Sequence, residues 1–404
     1  MILLMAWRNI WRNKGRSIVI MISVAIGLLG GIGVLALYKG MMKSRVRTVI
    51  DAEVGHLQIH HPEFIKDNHS AFILSNSIAL LKEVQSLPGV KIAVPRTLSQ
   101  GMLVTTTGSS GVQINGIVPE LEYKASQLKQ KIIIGDGFHE GKKNEILIGK
   151  KLADKMKLKL GAKLVLTFTD TADNLVSSAF RVAGIYQSGN APLDELNVYV
   201  SLTALNEWLL TGNAFHQITV ILKNDDDLQP MLELLKKKYP SLLVQSWKDI
   251  SPETELMVRT VDEYSYIIMI IILVALAFGI LNTMLMSVLE RTKEIGMMVA
   301  LGTAKAKVFF LILMETVFLT IAGTPVGLSA AYFITRYYQK NGLDLSGMGK
   351  DMMASFGFDT TISPSFPTEK LIPILIMVVV TALLACLLPA LKALRLQPVE
   401  ALRR

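Results

Sequence analysis

The densest group of side chains able to do chemistry interrupts a long apolar sequence: Glu290, Arg291, Lys293 and Glu294, followed by Ile295 and Gly296. Two acids and two bases beside Ile295, Met297 and Met298 form an amphipathic element with charges and apolar anchors, suited to docking on a protein surface. The residues alone fit equally a helix at a membrane edge whose charges face water and lipid headgroups. A second candidate is Glu315, about two helical turns inside an apolar run, where an ionisable group is costly and functional by default. Near the edge of that run, pairing with a base such as Lys307, or a hydrogen bond between helices, is favoured over a role in transport.

Other chemistry is thinly represented. His56, His60, His61 and His69 include alternate strand positions that share a face, but no carboxylate or cysteine stands at ligand spacing, so polar residues on an exposed strand are expected and no metal. Asp225-Asp226-Asp227 precedes a helical pattern and reads as a turn with a capping residue, since the Gly and Glu of a calcium loop are missing. Cys386 is the single cysteine and lies in an apolar run, which excludes an intrachain disulfide. No G-x-x-x-x-G-K-[ST] phosphate loop, H-E-x-x-H or G-x-S-x-G occurs, so no ATPase, metalloprotease or lipase chemistry is expected of this chain, and catalytic residues and cofactors are none.

The elements that position these residues are largely membrane spans. The chain has 404 residues, 51% of them hydrophobic and only 19% charged, against about 25% charged in an ordinary soluble domain. Four runs reach the roughly 20 apolar residues that a bilayer core needs: 17–38, 264–289, 308–333 and 371–391. Arg8, Arg12, Lys14 and Arg16 precede the first; Arg291, Lys293, Lys305 and Lys307 join the second to the third; Lys392, Arg395, Arg403 and Arg404 follow the fourth. All three clusters fall on one side if both termini are cytoplasmic. A signal peptide ending at Val34-Leu35-Ala36 would have an apolar core of about 7–15 residues, and this run is longer, so a permanent span is expected. Pro325 is expected to kink the third span. Trp7 and Trp11, four apart and interleaved with Arg8 and Arg12, fit an amphipathic surface helix over residues 1–16 or a plain positive flank with interfacial aromatics.

Residues 39–263 alternate β-type and helical patterns in the manner of an extracytoplasmic α+β domain. Residues 56–60, 76–86 and 90–94 read as strand, helix and strand, and so do 217–222, 228–239 and 242–245. Two such units pair into one four-stranded, ferredoxin-like sheet with both helices on one face. Residues of about 98–215 then form an inserted second lobe, with hairpin turns at Thr107-Gly108-Ser109-Ser110-Gly111 and Thr171-Ala172-Asp173-Asn174. Ser251-Pro252-Glu253 is a strong helix start, and no breaker follows before Glu290; such a helix is about 58 Å long. With a first span continuing towards Asp51, it reads as one of two stiff stalks. The remaining segments are the cytoplasmic loop 290–307, the extracytoplasmic loop 334–370 and the tail 392–404.

Three motifs carry a family resemblance. Ala6-Trp7-Arg8-Asn9-Ile10-Trp11-Arg12-Asn13-Lys14, the run from Asn282 through Glu290-Arg291-Thr292-Lys293-Glu294-Ile295-Gly296 to Thr303, and Pro389-Ala390 through Pro398-Val399-Glu400-Ala401-Leu402-Arg403 together resemble the FtsX-like permease family, whose members include MacB, LolC and LolE. The resemblance implies an ABC transporter permease of the bacterial inner membrane. It implies a coupling helix seated in a groove of a separate ATPase subunit through Glu290, Arg291, Lys293, Glu294, Ile295 and Gly296, with ATP and Mg held by that partner. It also implies a second permease chain, identical or related, and motion transmitted to the extracytoplasmic domains. The four-span plan is closest to the lipoprotein-releasing LolC and LolE type, with lipoprotein cargo, membrane lipid and a periplasmic carrier as partners and no nucleic acid. Export of a hydrophobic drug, peptide or amphiphile, or FtsX-like control of cell-wall hydrolases, are the alternatives; the smaller domain usual in FtsX-type chains weighs against the last.

Overall fold

The computed structural model describes residues 2–12, 14–126, 128–348, 358 and 361–394. The terminal motif residues Arg395, Pro398, Val399, Glu400, Ala401, Leu402, Arg403 and Arg404 lie outside the described residues, as does most of loop 349–360. The chain divides into two compact units, one of residues 1–42, 258–344 and 361–404, the other of 43–257 with 345–360.

The first unit is helical. Helices Lys14–Thr48, Pro252–Glu290, Lys305–Asn341 and Leu371–Leu394 each contain a stretch long and apolar enough to cross a membrane. The first runs on into a π-helical turn at Val49–Val54, and the third extends beyond the expected 308–333 and continues through Pro325. Ile20, Val24, Leu28 and Ile32, four residues apart, form one buried stripe that packs with Met269, Leu273, Ile280, Val378 and Ala382. Between these stripes large apolar side chains such as Ile26, Ile271, Phe278 and Leu388 face outward. A hydrophobic exterior of this extent is stable in hydrocarbon and not in water.

Two glycines let helices approach closely. A Cβ on Gly323 would lie 2.7 Å from the Met21 carbonyl oxygen, and one on Gly327 2.8 Å from Ala25 Cα. Small residues four apart are how membrane helices, lacking a hydrophobic drive in lipid, gain van der Waals contact. The hydroxyls of Thr316, Thr320 and Thr324 each donate to the carbonyl four residues earlier, which satisfies them inside the helix.

The second unit is built on one ten-stranded sheet. Its strands are β1 (Leu57–His60), β2 (Val90–Thr105), β3 (Gly108–Ile117), β4 (Ile132–Gly135), β5 (Glu145–Gly149), β6 (Lys163–Thr169), β7 (Leu175–Tyr186), β8 (Asn197–Ser201), β9 (Gln217–Leu222) and β10 (Leu243–Ser246). Their order is β10-β1-β9-β2-β3-β8-β5-β7-β4, with β6 pairing β2 and β7. In the first four strands every neighbour is antiparallel, and the connecting helices Ser77–Gln85 and Leu228–Lys238 share one core with Leu57, Ile59, Val220 and Val244. Both helices therefore cover the same face. A separate core around Ile114, Ile146, Leu166, Phe180 and Val200 holds the other lobe.

The lobe boundary differs from the sequence reading. β2 runs unbroken through Leu98, pairing β9 over Val90–Arg96 and β3 over Arg96–Thr105. Residues 93–99 of this sixteen-residue strand are all buried, so the sequence carries no local mark where the partner changes, and the lobes share a sheet and divide only in their cores. The β2–β3 turn falls at Thr107 and the β6–β7 turn at 170–174, where the Asp170 carboxylate accepts from the Ala172 and Asn174 amides. Asp227 stands at the start of its helix but makes no side-chain cap, a departure from the expected capping role. Its backbone is already helical, unlike the extended backbone that lets a cap reach back.

Candidate functional site

The polar interruption after the second long helix folds as a helix of its own, Thr292–Ala300. Arg291 ends the preceding helix with φ −98° and ψ 18°. The far end closes by the Thr303 amide donating to the Met298 carbonyl and the Gly302 amide to that of Val299, with Gly302 at φ +89°. This double closure needs a left-handed residue, which glycine supplies without strain. The short helix is thus held between two long ones by a break at one end and a glycine cap at the other.

Arg291 is the hub of its charges. The guanidinium donates to Glu315 through Nη1, at 3.0 and 3.2 Å from the two carboxylate oxygens, and through Nε to Glu294 at 3.1 Å. The side chains of Arg291 and Glu315 are only 12% and 9% exposed. Glu294 also accepts from Arg12 of the N-terminal helix Ile2–Arg12. Partial burial opposes the charge on Glu294, but hydrogen bonds and attraction from Arg12 and Arg291 outweigh it and hold the carboxyl below its usual range. The pairing of Glu315 thus differs from the Lys307 suggested by proximity in sequence. Eight residues along one helix are about 12 Å, whereas Arg291 reaches across from the neighbouring element.

The N-terminal helix joins the same assembly. Ala6 and Ile10 are buried, and the Trp7 ring packs edge-on to Trp11 at 6.2 Å and to Phe318 at 5.9 Å. Trp11 is largely exposed, as an amphipathic surface helix requires.

The apolar residues of the short helix divide into two sets. Ile295 and Gly296 are buried, and Ile295 joins the core of the helical unit with Met298 against it. They seat the helix and are not available as contacts. Lys293 and Met297, four apart, are exposed on one face of this helix, and Glu290 before its break and Leu301 just past its end are exposed as well, Leu301 at 88%. Leu301 was not singled out in the sequence; the signal was its place four residues beyond Met297 and just before the capping glycine. The four histidines, by contrast, are not gathered: His56 meets Asp225, His60 meets Gln58, His61 meets the Glu63 amide and His69 meets Asp173. Among the described residues no three metal-ligating side chains come together.

Residues 266–398 match the FtsX-like permease C-terminal family and residues 17–238 the MacB-like periplasmic core domain. The chain belongs to the FtsX-like, MacB-type family of ABC transporter permeases. Its relatives include the macrolide export ATP-binding/permease proteins MacB 2 of Aeromonas hydrophila subsp. hydrophila, 24% identical over 99% of this chain and 60% of the relative, and MacB of Shewanella sp. (strain ANA-3), 24% identical over 97% and 58%. The chain spans about three fifths of the length of these curated relatives. Similar solved structures include the periplasmic region of MacB from Actinobacillus actinomycetemcomitans, with a TM-score of 0.36, 18% identity and coverage of 52% of this chain and 97% of that one. Another is the extracellular domain of the noncanonic ABC-type transporter YknZ from Gram-positive bacteria, with a TM-score of 0.33, 17% identity and coverage of 47% and 99%. Four apolar helices and the matched core domain make this FtsX-like permease a membrane protein with a large extracytoplasmic α+β domain.

Proposed function

We propose that this permease transmits the motion of a separate ABC-type ATPase, through the helix Thr292–Ala300, to its extracytoplasmic domain. The observation that carries the reading is a helix that exposes Lys293 and Met297, with exposed Glu290 and Leu301 at its two ends, while Arg291, Glu315 and Ile295 lock its other side. A docking surface must be open to its partner and rigidly joined to what it moves, and buried ion pairs and packed side chains supply that rigidity. The continuous helix Pro252–Glu290 supports a mechanical link, since it leads into the short helix at Arg291. ATP and Mg belong to the partner, this chain is non-catalytic, and both termini with the short helix are cytoplasmic. The whole works as a pair of permease chains, identical or related, in the bacterial inner membrane.

Lipoprotein release from that membrane to a periplasmic carrier is the proposed work, on the four-span plan. Export of a hydrophobic drug, peptide or other amphiphile is the second reading, favoured by relatives that are macrolide export proteins. The two separate in proteoliposomes containing the permease with its ATPase. ATP-dependent transfer of a reconstituted lipoprotein to soluble carrier supports release; ATPase stimulation by a macrolide with no lipoprotein transfer supports export. Neither response, with ATP hydrolysis intact, contradicts transport altogether.

A further inference from the structure

Strand β7 changes partners at Arg181, which stands opposite Lys163 of β6 on one side and Glu145 of β5 on the other. Three stretches of chain are tied together there. The Arg181 amide donates to the Asn144 carbonyl at 2.9 Å, the Val182 amide to that of Ala162 at 3.0 Å, and the Gly161 amide to that of Val182 at 2.8 Å. Over this junction opens a cavity of about 680 Å³ whose charged lining is Lys142, Lys143, Lys163, Arg181 and Glu145. That is roughly twenty times the volume of one water molecule and within the range of small-molecule sites. The four bases are exposed and the acid is buried.

The charges of this lining do not cancel one another. Directly opposed residues on neighbouring strands share a face, and like charges placed so destabilise a sheet. Lys163 and Arg181 are nevertheless opposed, and among the described residues neither is in a salt bridge; the Arg181 guanidinium has the Gly161 carbonyl at 3.4 Å. Glu145, the acid in the same row, is already engaged. It accepts from the His139 amide at 2.7 Å and from the His139 ring at 2.9 Å, with the Lys142 ammonium at 3.6 Å. Lys143 meets Glu207 at 3.0 Å, but the two side chains are 69% and 65% exposed, and so solvated a pair contributes little and exchanges readily. Lys157 and Lys159, also exposed, stand in the turn that leads to Lys163 and add to the positive field.

The bases come from separate elements: the loop before β5, the start of β6 and the middle of β7. Backbone hydrogen bonds at the junction fix the strands that bring them together, so the positive cluster is assembled by the fold and not by a run in the sequence. An anion placed among them relieves the repulsion between Lys163 and Arg181. A cation would add to it. Ammonium groups act as point charges and a guanidinium as a planar fork, and both match phosphate oxygens. The spread of the bases over several elements, with room for much more than one small anion, calls for a ligand with more than one charged group. We propose that this basic cavity binds a ligand carrying two or more phosphate groups, either free in solution or borne on a lipid headgroup.

The test uses the full chain in phosphatidylcholine nanodiscs, titrated by calorimetry with tripolyphosphate and with orthophosphate, and floated with phosphatidylcholine vesicles with or without cardiolipin. Saturable binding of tripolyphosphate is expected, about tenfold or more tighter than orthophosphate and weakening as salt is raised. Lys163→Gln and Arg181→Gln should each weaken it about tenfold, the effect of one lost charge-assisted hydrogen bond, and Lys163→Arg should retain it. Each Gln variant removes one of two opposed like charges, so its unliganded Tm should be unchanged or higher. Cardiolipin-dependent flotation that both Gln variants lose assigns the site to lipid phosphate, and tripolyphosphate binding without flotation assigns it to a soluble ligand. Absence of both saturable tripolyphosphate binding and cardiolipin-dependent flotation overturns the proposal, as does binding that neither Gln variant weakens. Equal weakening by Lys236→Gln, on the distant helix Leu228–Lys238, would show general surface charge at work and also overturns it.

Discussion

Arg291 donates at once to Glu315 and Glu294, so its loss removes the guanidinium from a carboxylate that is almost wholly buried. Breaking one side of such a pair costs about 3–5 kcal/mol, whereas replacing both partners by apolar groups is often neutral. Arg291→Met should therefore lower the thermal midpoint sharply, and Arg291→Met with Glu315→Met should restore most of it; a double variant as unstable as the single would show that the pair is not the coupled unit described here. The sequence showed that Glu315 needed a partner but not which one, because the partner lies on another element, 24 positions away. In the extracytoplasmic domain, His60 and His216 are both held neutral, chiefly by burial. Their folded pKa values are depressed below the unfolded value of about 6.5, so the unfolded chain binds the extra protons. Their stabilising effect is complete above about pH 6.5 and falls as pH drops from there towards 4, by on the order of 3 kcal/mol for His60. Urea unfolding of the full chain between pH 7.5 and 4.5 should show this loss, reduced in His60→Gln; a midpoint independent of pH would contradict it.

The short helix Thr292–Ala300 shows how far an amphipathic pattern can be read without a fold around it. At 100° per residue, Ile295, Met298 and Met297 share one broad arc of about 160°, so nine residues cannot say which apolar side chain seats the helix and which is offered. Packing against the long helices decides it, turning Ile295 in and Met297 out. The long spans pose the opposite problem. They are apolar on every side, and the Gly323 and Gly327 contacts with Met21 and Ala25 leave no polarity signal, only a spacing of small residues that the sequence reading passed over. Gly327→Val would push a side chain into the backbone of the first span. It should reduce thermal stability by several degrees, while Gly279→Ala, whose Cβ would meet only Ser23 at 4.0 Å, should leave it nearly unchanged. Equal effects would argue against close helix contact at Gly327.

At the scale of the molecule, the spans and most strands of the domain were legible because their periods are simple: continuous apolar runs, alternation, and helical stretches bounded by Pro and Gly. What was not legible depends on pairing at a distance, such as the passage of β2 from one partner strand to the next at Arg96. The same limit applies to a substrate, since the family rests on the matches over residues 17–238 and 266–398 and neither contains a side chain that names one. The exposed face of the short helix is the proposed place where an ATPase engages. The direct measurement is to purify the tagged chain and its Leu301→Asp variant from the native membrane, quantify co-purified ATPase by mass spectrometry, and confirm equal thermal stability of the two. An ABC-type ATPase retained by the natural chain and reduced at least tenfold in the variant is the predicted result. No ATPase with the natural chain, or equal recovery with both, would contradict the claim.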